Sequence, residues 1–69
     1  MEPRAVFGAN LRVQRKRLGL SQEALGHRCG LHRTEVSLLE RGGRDPRLAT
    51  IVALARALEL PPSALLDGI

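Results

Sequence analysis

The chain has 69 residues, 43% of them hydrophobic and 26% charged, with a formal net charge of +4. That length holds one core, so residues 1–69 read as a single domain; a second domain and any large multi-domain enzyme are excluded, as is a disordered tail. The charge is uneven: residues 1–47 carry ten basic and five acidic side chains, whereas residues 48–69 carry Arg56 against Glu59 and Asp67. A basic first two-thirds with a near-neutral, apolar end implies one surface for a polyanion and another for packing or a partner. The lone Cys29 excludes a disulfide-stapled secreted scaffold and points to a reducing intracellular compartment. No apolar run approaches the roughly 18–20 residues of a membrane-spanning helix, and Met1-Glu2-Pro3-Arg4 lacks the basic-then-apolar order of a secretory signal. Phe7 is the single aromatic residue, which argues against modules that stack single-stranded bases on aromatic rings.

In chain order, no strand-like alternation persists, and short helical patterns are separated by glycine or proline. Phe7, Leu11 and Leu18 fall on one helical face, with Gln14 as its polar member, before Gly19 breaks the pattern and Leu20 packs back across the turn. Ser21 is a good N-cap and Glu23 suits the positive end of the helix that follows, which runs to about Arg28 with Leu25 and Cys29 inward. Gly30 reads as its left-handed C-cap, with Leu31 packed under the turn. A third helix over about 33–40 turns Val36 and Leu39 inward and leaves Arg33, Thr34, Ser37 and Arg41 outward. Residues 41–47 form a basic loop with two glycines and a proline. Leu48, Ile51, Leu54, Ala55 and Leu58 trace a fourth amphipathic helix, ended by Leu60 before Pro61-Pro62. A last short helix over about 62–67 carries Leu65 and Leu66, with Ile69 trailing. The expectation is all-α: five helices and no sheet.

Residues 21–41 hold two short helices joined by a turn at Gly30, the layout of a helix-turn-helix. In such a unit the first helix braces against the DNA backbone and the second offers its N-terminal and outward residues to base edges in the major groove. The residues Arg12, Arg15, Gly19-Leu20-Ser21-Gln22-Glu23-Ala24-Leu25, Cys29-Gly30-Leu31, Val36-Ser37 and Leu39-Glu40-Arg41-Gly42 resemble the Cro/phage-repressor-type helix-turn-helix family, also called the XRE family. Pro46, Leu48, Leu54-Ala55, Ala57-Leu58, Leu60-Pro61 and Leu65-Leu66 extend the likeness over roughly residues 6–66. The resemblance implies a compact five-helix, lambda-repressor-like domain with its helix-turn-helix at about 21–40. Among small proteins of this kind, it points to Cro-like repressors and restriction–modification controller proteins.

The same resemblance makes Gln22 a DNA-facing residue at the start of the second helix, and Arg33, Thr34 and Ser37 outward residues of the recognition helix. Arg33 has the chemistry to fork onto guanine O6 and N7, worth about 1–3 kcal/mol of discrimination. Glu35 either accepts from cytosine N4 or has a structural or orienting role, because a carboxylate near phosphates is repelled unless it also pairs with an arginine. Leu38 stands where the family has a polar or basic contact, and either meets a thymine methyl or lies half-exposed. Arg15 and Glu40 match a structural ion pair between the first and third helices. Arg41, Arg44 and Arg47 are phosphate candidates, with Arg47 placed to reach a minor groove. His32 replaces the usual Ser or Thr N-cap. The recognition helix is therefore expected to start less firmly, and its start or a phosphate contact to depend on pH, because charged imidazole accepts no hydrogen bond. Gly26 replaces a typical alanine at about 1 kcal/mol of helix propensity unless close packing needs it.

His27, Cys29 and His32 invite a metal reading, but positions 27 and 29 point to different sides of a helix and no fourth ligand is supplied, so no metal and no cofactor are expected. Cys29 fits a small buried slot that the family gives to alanine. No paired carboxylates, phosphate-cradling loop or activated nucleophile is legible, so the chain is not expected to be an enzyme. Leu60, Pro61, Leu65, Leu66 and Ile69 are the candidate dimer seam. The leading expectation is a cytoplasmic, nucleoid-associated regulator that binds double-stranded DNA as a homodimer on a pseudo-palindromic operator, occluding or contacting RNA polymerase. The competing expectation is an antitoxin or adaptor whose main role is binding a protein partner such as a toxin. A cationic membrane-surface peptide is a weaker third, because the positive charge lies on helix ends and a loop rather than along one long helix.

Overall fold

Four of the five helices are ended by a residue in the left-handed conformation, and those stops set the architecture. The computed structural model describes residues 1–69 and contains α1 (Pro3–Arg17), α2 (Gln22–Cys29), α3 (Arg33–Glu40), α4 (Leu48–Ala57) and α5 (Pro62–Leu65), with no strand. After α3, the Gly42 N–H donates to the Leu39 carbonyl and the Gly43 N–H to the Leu38 carbonyl, at 3.1 and 3.0 Å. These two bonds form a Schellman stop, with Gly42 at φ 71°. The same pair of bonds closes α4 through Glu59 and Leu60, but there the left-handed residue is Glu59, at φ 59°.

The core consists of Phe7 and Leu11 from α1, Leu25 from α2, Val36 and Leu39 from α3, Leu54 and Ala55 from α4 with Leu58 at its end, and Leu65 from α5. Leu20, Cys29, Leu31, Ile51, Ala57 and Leu60 pack around it, half-buried. α1 packs on α3 and α5, α2 on α3 and α4, and α4 on α5. Asn10 ties the ends together: its Nδ2 donates to the carbonyls of Leu65 at 3.0 Å and Asp67 at 2.8 Å.

Two stripe positions depart from the periodicity. Leu18 follows the last turn of α1 as its C-cap and is exposed, because the chain turns away at Gly19 before the side chain reaches the core. Leu48 is 78% exposed: it is the first residue of α4, one turn short of where that helix meets the others, and the inward face begins at Ile51. The last helix stops at Leu65 rather than continuing to 67. A four-residue helix starting at Pro62 completes one turn, and the carbonyls at its end are taken by Asn10.

Two glycines set how closely the helices approach. A Cβ on Gly8 would collide with the carbonyl oxygens of Leu39 and Glu40, so α1 lies directly on the C-terminal end of α3. A Cβ on Gly26 would collide with the Leu31 carbonyl oxygen, so α2 meets the turn leading into α3 at the same range. Close packing thus explains Gly26 in the middle of a helix, where alanine has the better propensity.

Candidate nucleic-acid interface

α2 and α3 pack against each other across the turn at Gly30, which sits at φ 75°. Both helices start on a side-chain cap. The Ala24 N–H donates to Ser21 Oγ at 2.9 Å, and the Thr34 N–H donates to His32 Nδ1 at 3.2 Å. The Thr34 hydroxyl lies 2.9 Å from the same nitrogen. His32 therefore does the work of the missing Ser or Thr, and the expectation of a loosely started α3 is corrected: a neutral imidazole with a free Nδ1 lone pair is an adequate acceptor.

The α1–α3 junction is held by a charge pair shut away from water. Arg15 Nε donates to Glu40 Oε2 at 2.6 Å and Arg15 Nη2 to Glu40 Oε1 at 2.9 Å, with side chains 10% and 4% exposed. The third arm, Nη1, donates to the Leu20 carbonyl at 2.8 Å and so fixes the turn into α2. The hydrogen bond that Arg15 donates to Glu40 raises the Arg15 pKa; burial opposes it and the Coulombic attraction of Glu40 adds to it. Gln22, at the start of α2, donates its Nε2 to Glu40 Oε1 at 3.2 Å. One carboxylate thus joins the first helix, the brace helix and the recognition helix.

Outward from this junction, Arg33 and Thr34 are exposed at the start of α3, and Arg41 is exposed at its end with Nε donating to the Ser37 carbonyl at 3.3 Å. Ser37 is half-exposed. Arg33 lies 3.7 Å from Glu23 of α2, an exposed pair that salt screens readily. Leu38 is half-buried, and its Cδ1 occupies the space where a side chain on Gly43 would stand. Glu35 Oε1 and Oε2 both accept from Arg44 Nη1, at 2.7 and 2.9 Å. Arg44 and Arg47 come together with His32, Glu35 and Thr50 around an open, polar groove between the start of α3 and the start of α4.

Charge spacing along the chain gave no sign of the pairings Arg33–Glu23 and Glu35–Arg44, which join separate elements. Nor did it pick out Thr50 or Asn10. Their only signal is proximity after folding. Of the five candidate seam residues, Leu65 is wholly buried in the monomer core and offers a partner nothing to touch. Leu60 is half-buried, and Pro61, Leu66 and Ile69 are exposed. No three His, Cys, Asp or Glu side chains are grouped to hold a metal ion. Cys29 is half-buried, its Sγ donates to the Leu25 carbonyl at 3.3 Å, and burial pushes the thiol pKa up. No helix is long and apolar enough to cross a membrane.

Comparison with known proteins gives this geometry a context. The profile of the helix-turn-helix family HTH_3 matches residues 11–65. The control protein C.BamHI of Bacillus amyloliquefaciens is 40% identical over 65 residues, spanning 93% of this chain and 80% of that one. Among solved structures, the restriction-modification controller protein C.AhdI from Aeromonas hydrophila superposes with a TM-score of 0.87 at 44% identity, covering 90% of this chain and 94% of that one. The c2 repressor of Salmonella phage P22, solved in complex with a synthetic operator, superposes with a TM-score of 0.83 at 35% identity, covering 91% and 96%.

Proposed function

This chain belongs to the HTH_3 helix-turn-helix family, and on that premise we propose that it is a sequence-specific, duplex-DNA-binding regulator of transcription that works as a homodimer. The carrying observation is the α2–α3 unit, with Gln22 at the start of its first helix and Arg33, Thr34 and Ser37 outward on its second. Arg41, Arg44 and Arg47 continue the basic character into the following loop. Relatives named as a control protein, a restriction-modification controller protein and a phage repressor support this reading.

Mechanistically, Arg33 and its neighbours read base edges in the major groove, while Gln22, Arg41, Arg44 and Arg47 contact phosphates and fix the register. His32 caps the recognition helix, Leu38 rests on the loop, and the Arg15–Glu40 pair holds the reading surface on α1. One recognition helix covers a few base pairs. Two copies, with recognition helices about 34–36 Å apart, are needed for a specific site, which is then two-fold symmetric. Leu60, Pro61, Leu66 and Ile69 supply the seam between copies. Occupancy of such a site controls RNA polymerase by blocking or contacting it, a role performed in the cytoplasm at the nucleoid and without catalysis.

Selection of bound sequences from a random duplex pool, with the mass of the complex measured in parallel, tests the proposal. A two-fold-symmetric consensus bound by two copies is expected. Binding with no sequence preference at moderate salt overturns it.

A further inference from the structure

Glu35 presents a puzzle of sign. It is a carboxylate in the first turn of the recognition helix, on the surface assigned to a polyanion, where an unpaired negative charge repels phosphates. Its side chain is 29% exposed, and both oxygens accept from a single nitrogen, Nη1 of Arg44, nine residues further along. Arg44 has no other hydrogen bond or ion pair within the chain, so its Nε and Nη2 donors stay unclaimed beside the groove it shares with His32 and Arg47. Arg44 follows the Gly42-Gly43 stop of α3, its side chain is more than half exposed, and an arginine side chain loses much rotamer entropy on being fixed.

We infer that Glu35 is a positioning residue and reads no base: it holds Arg44 against the recognition helix, so that the free edge of the guanidinium meets DNA as part of the α3 surface. A charge on an exposed, rotamer-rich side chain becomes an ordered donor in register with Arg33, and the carboxylate that would repel DNA is neutralised by the group it orients. The cost of ordering the Arg44 side chain falls on the free protein rather than on the complex. The inference rests on the DNA-binding reading above.

The test measures affinity for the selected duplex against salt concentration for the wild type, Glu35→Gln, Arg44→Ala and the double variant, with thermal unfolding confirming that each is folded. Wild-type binding with a steep salt slope checks the underlying reading separately. We expect Arg44→Ala to weaken binding and to lower the salt slope by about 1, the loss of one phosphate contact. Glu35→Gln should weaken binding about two- to fivefold, although it removes a negative charge, as an exposed ion pair of ordinary strength stops holding its partner. In the Arg44→Ala background the sign reverses: Glu35→Gln tightens binding, because only repulsion of phosphates is left to remove. If the wild type binds and Glu35→Gln tightens binding with Arg44 present, Glu35 restrains Arg44 instead of presenting it, and the inference is overturned. Unchanged affinity in Arg44→Ala overturns it too. Loss of base preference at one position in Glu35→Gln, with an unchanged salt slope in Arg44→Ala, makes Glu35 a base reader. A wild type that does not bind duplex DNA removes both the inference and the reading beneath it.

Discussion

At the scale of single residues, the side chains that matter most are those whose neighbours leave no alternative. Alanine at Gly26 raises helix propensity, by about 1 kcal/mol in an open helix. Its Cβ collides here with the Leu31 carbonyl, and a backbone oxygen cannot swing aside as a side chain can. Gly26→Ala is therefore expected to destabilise by about 1–3 kcal/mol, the range for forced overpacking. Gly8→Ala, facing two carbonyls of α3, should cost at least as much; chemical unfolding checks both. Glu40 is the other constrained residue. Glu40→Ala strands Arg15 in a nearly closed site and releases Gln22 at once, so a loss of about 3–5 kcal/mol is expected in the same experiment. Cys29 should be chemically quiet: its raised pKa reduces the thiolate fraction at neutral pH, and alkylation should run slower than for a free thiol until the pH rises or the chain unfolds.

At the scale of elements, caps decide where helices begin and end, and they show what was legible in the sequence. Ser21 and Gly30 announce themselves as types: a hydroxyl before a helix, and a glycine where a left-handed residue is needed. The helix-turn-helix and its inward residues Leu25, Val36 and Leu39 follow from periodicity, which records burial directly. His32 and Glu59 did not announce themselves, because each is an uncommon residue doing a common job. His32→Ala should lower stability by about 1 kcal/mol and His32→Ser should restore it, which separates capping from any other role of the imidazole. Glu59→Gly should stabilise by about 0.5–1 kcal/mol, since glycine relieves the left-handed strain, offset in part by its greater freedom when unfolded. Thermal unfolding reads both. Leu18 and Leu48 lie on their inward stripes yet are exposed, because a periodic stripe carries no information on where a neighbouring helix stops.

At the scale of the whole molecule, the uneven charge has a structural counterpart. The basic stretch supplies α1, the helix-turn-helix and the arginine loop; the near-neutral stretch supplies α4, α5 and the exposed Leu66 and Ile69. The fold was readable in advance because its signals are local. The candidate interface was readable as residue types, but the pairings that orient it, Arg33 with Glu23 and Glu35 with Arg44, exist only once the chain folds. Leu66→Asp should shift the mass in solution from two copies towards one and weaken operator binding while leaving the monomer folded, because Leu66 lies outside the core. The most direct test of the central claim, that the α3 surface reads duplex DNA, is a titration of Arg33→Ala and Arg41→Ala against the selected duplex and its single-base variants across salt concentrations. We expect Arg33→Ala to lose discrimination, by about 1–3 kcal/mol at one base pair per half-site, and Arg41→Ala to weaken all sequences alike with a salt slope lowered by about 1. Affinity, discrimination and salt slope left untouched in both variants would contradict the claim and leave a helical adaptor that does not read DNA.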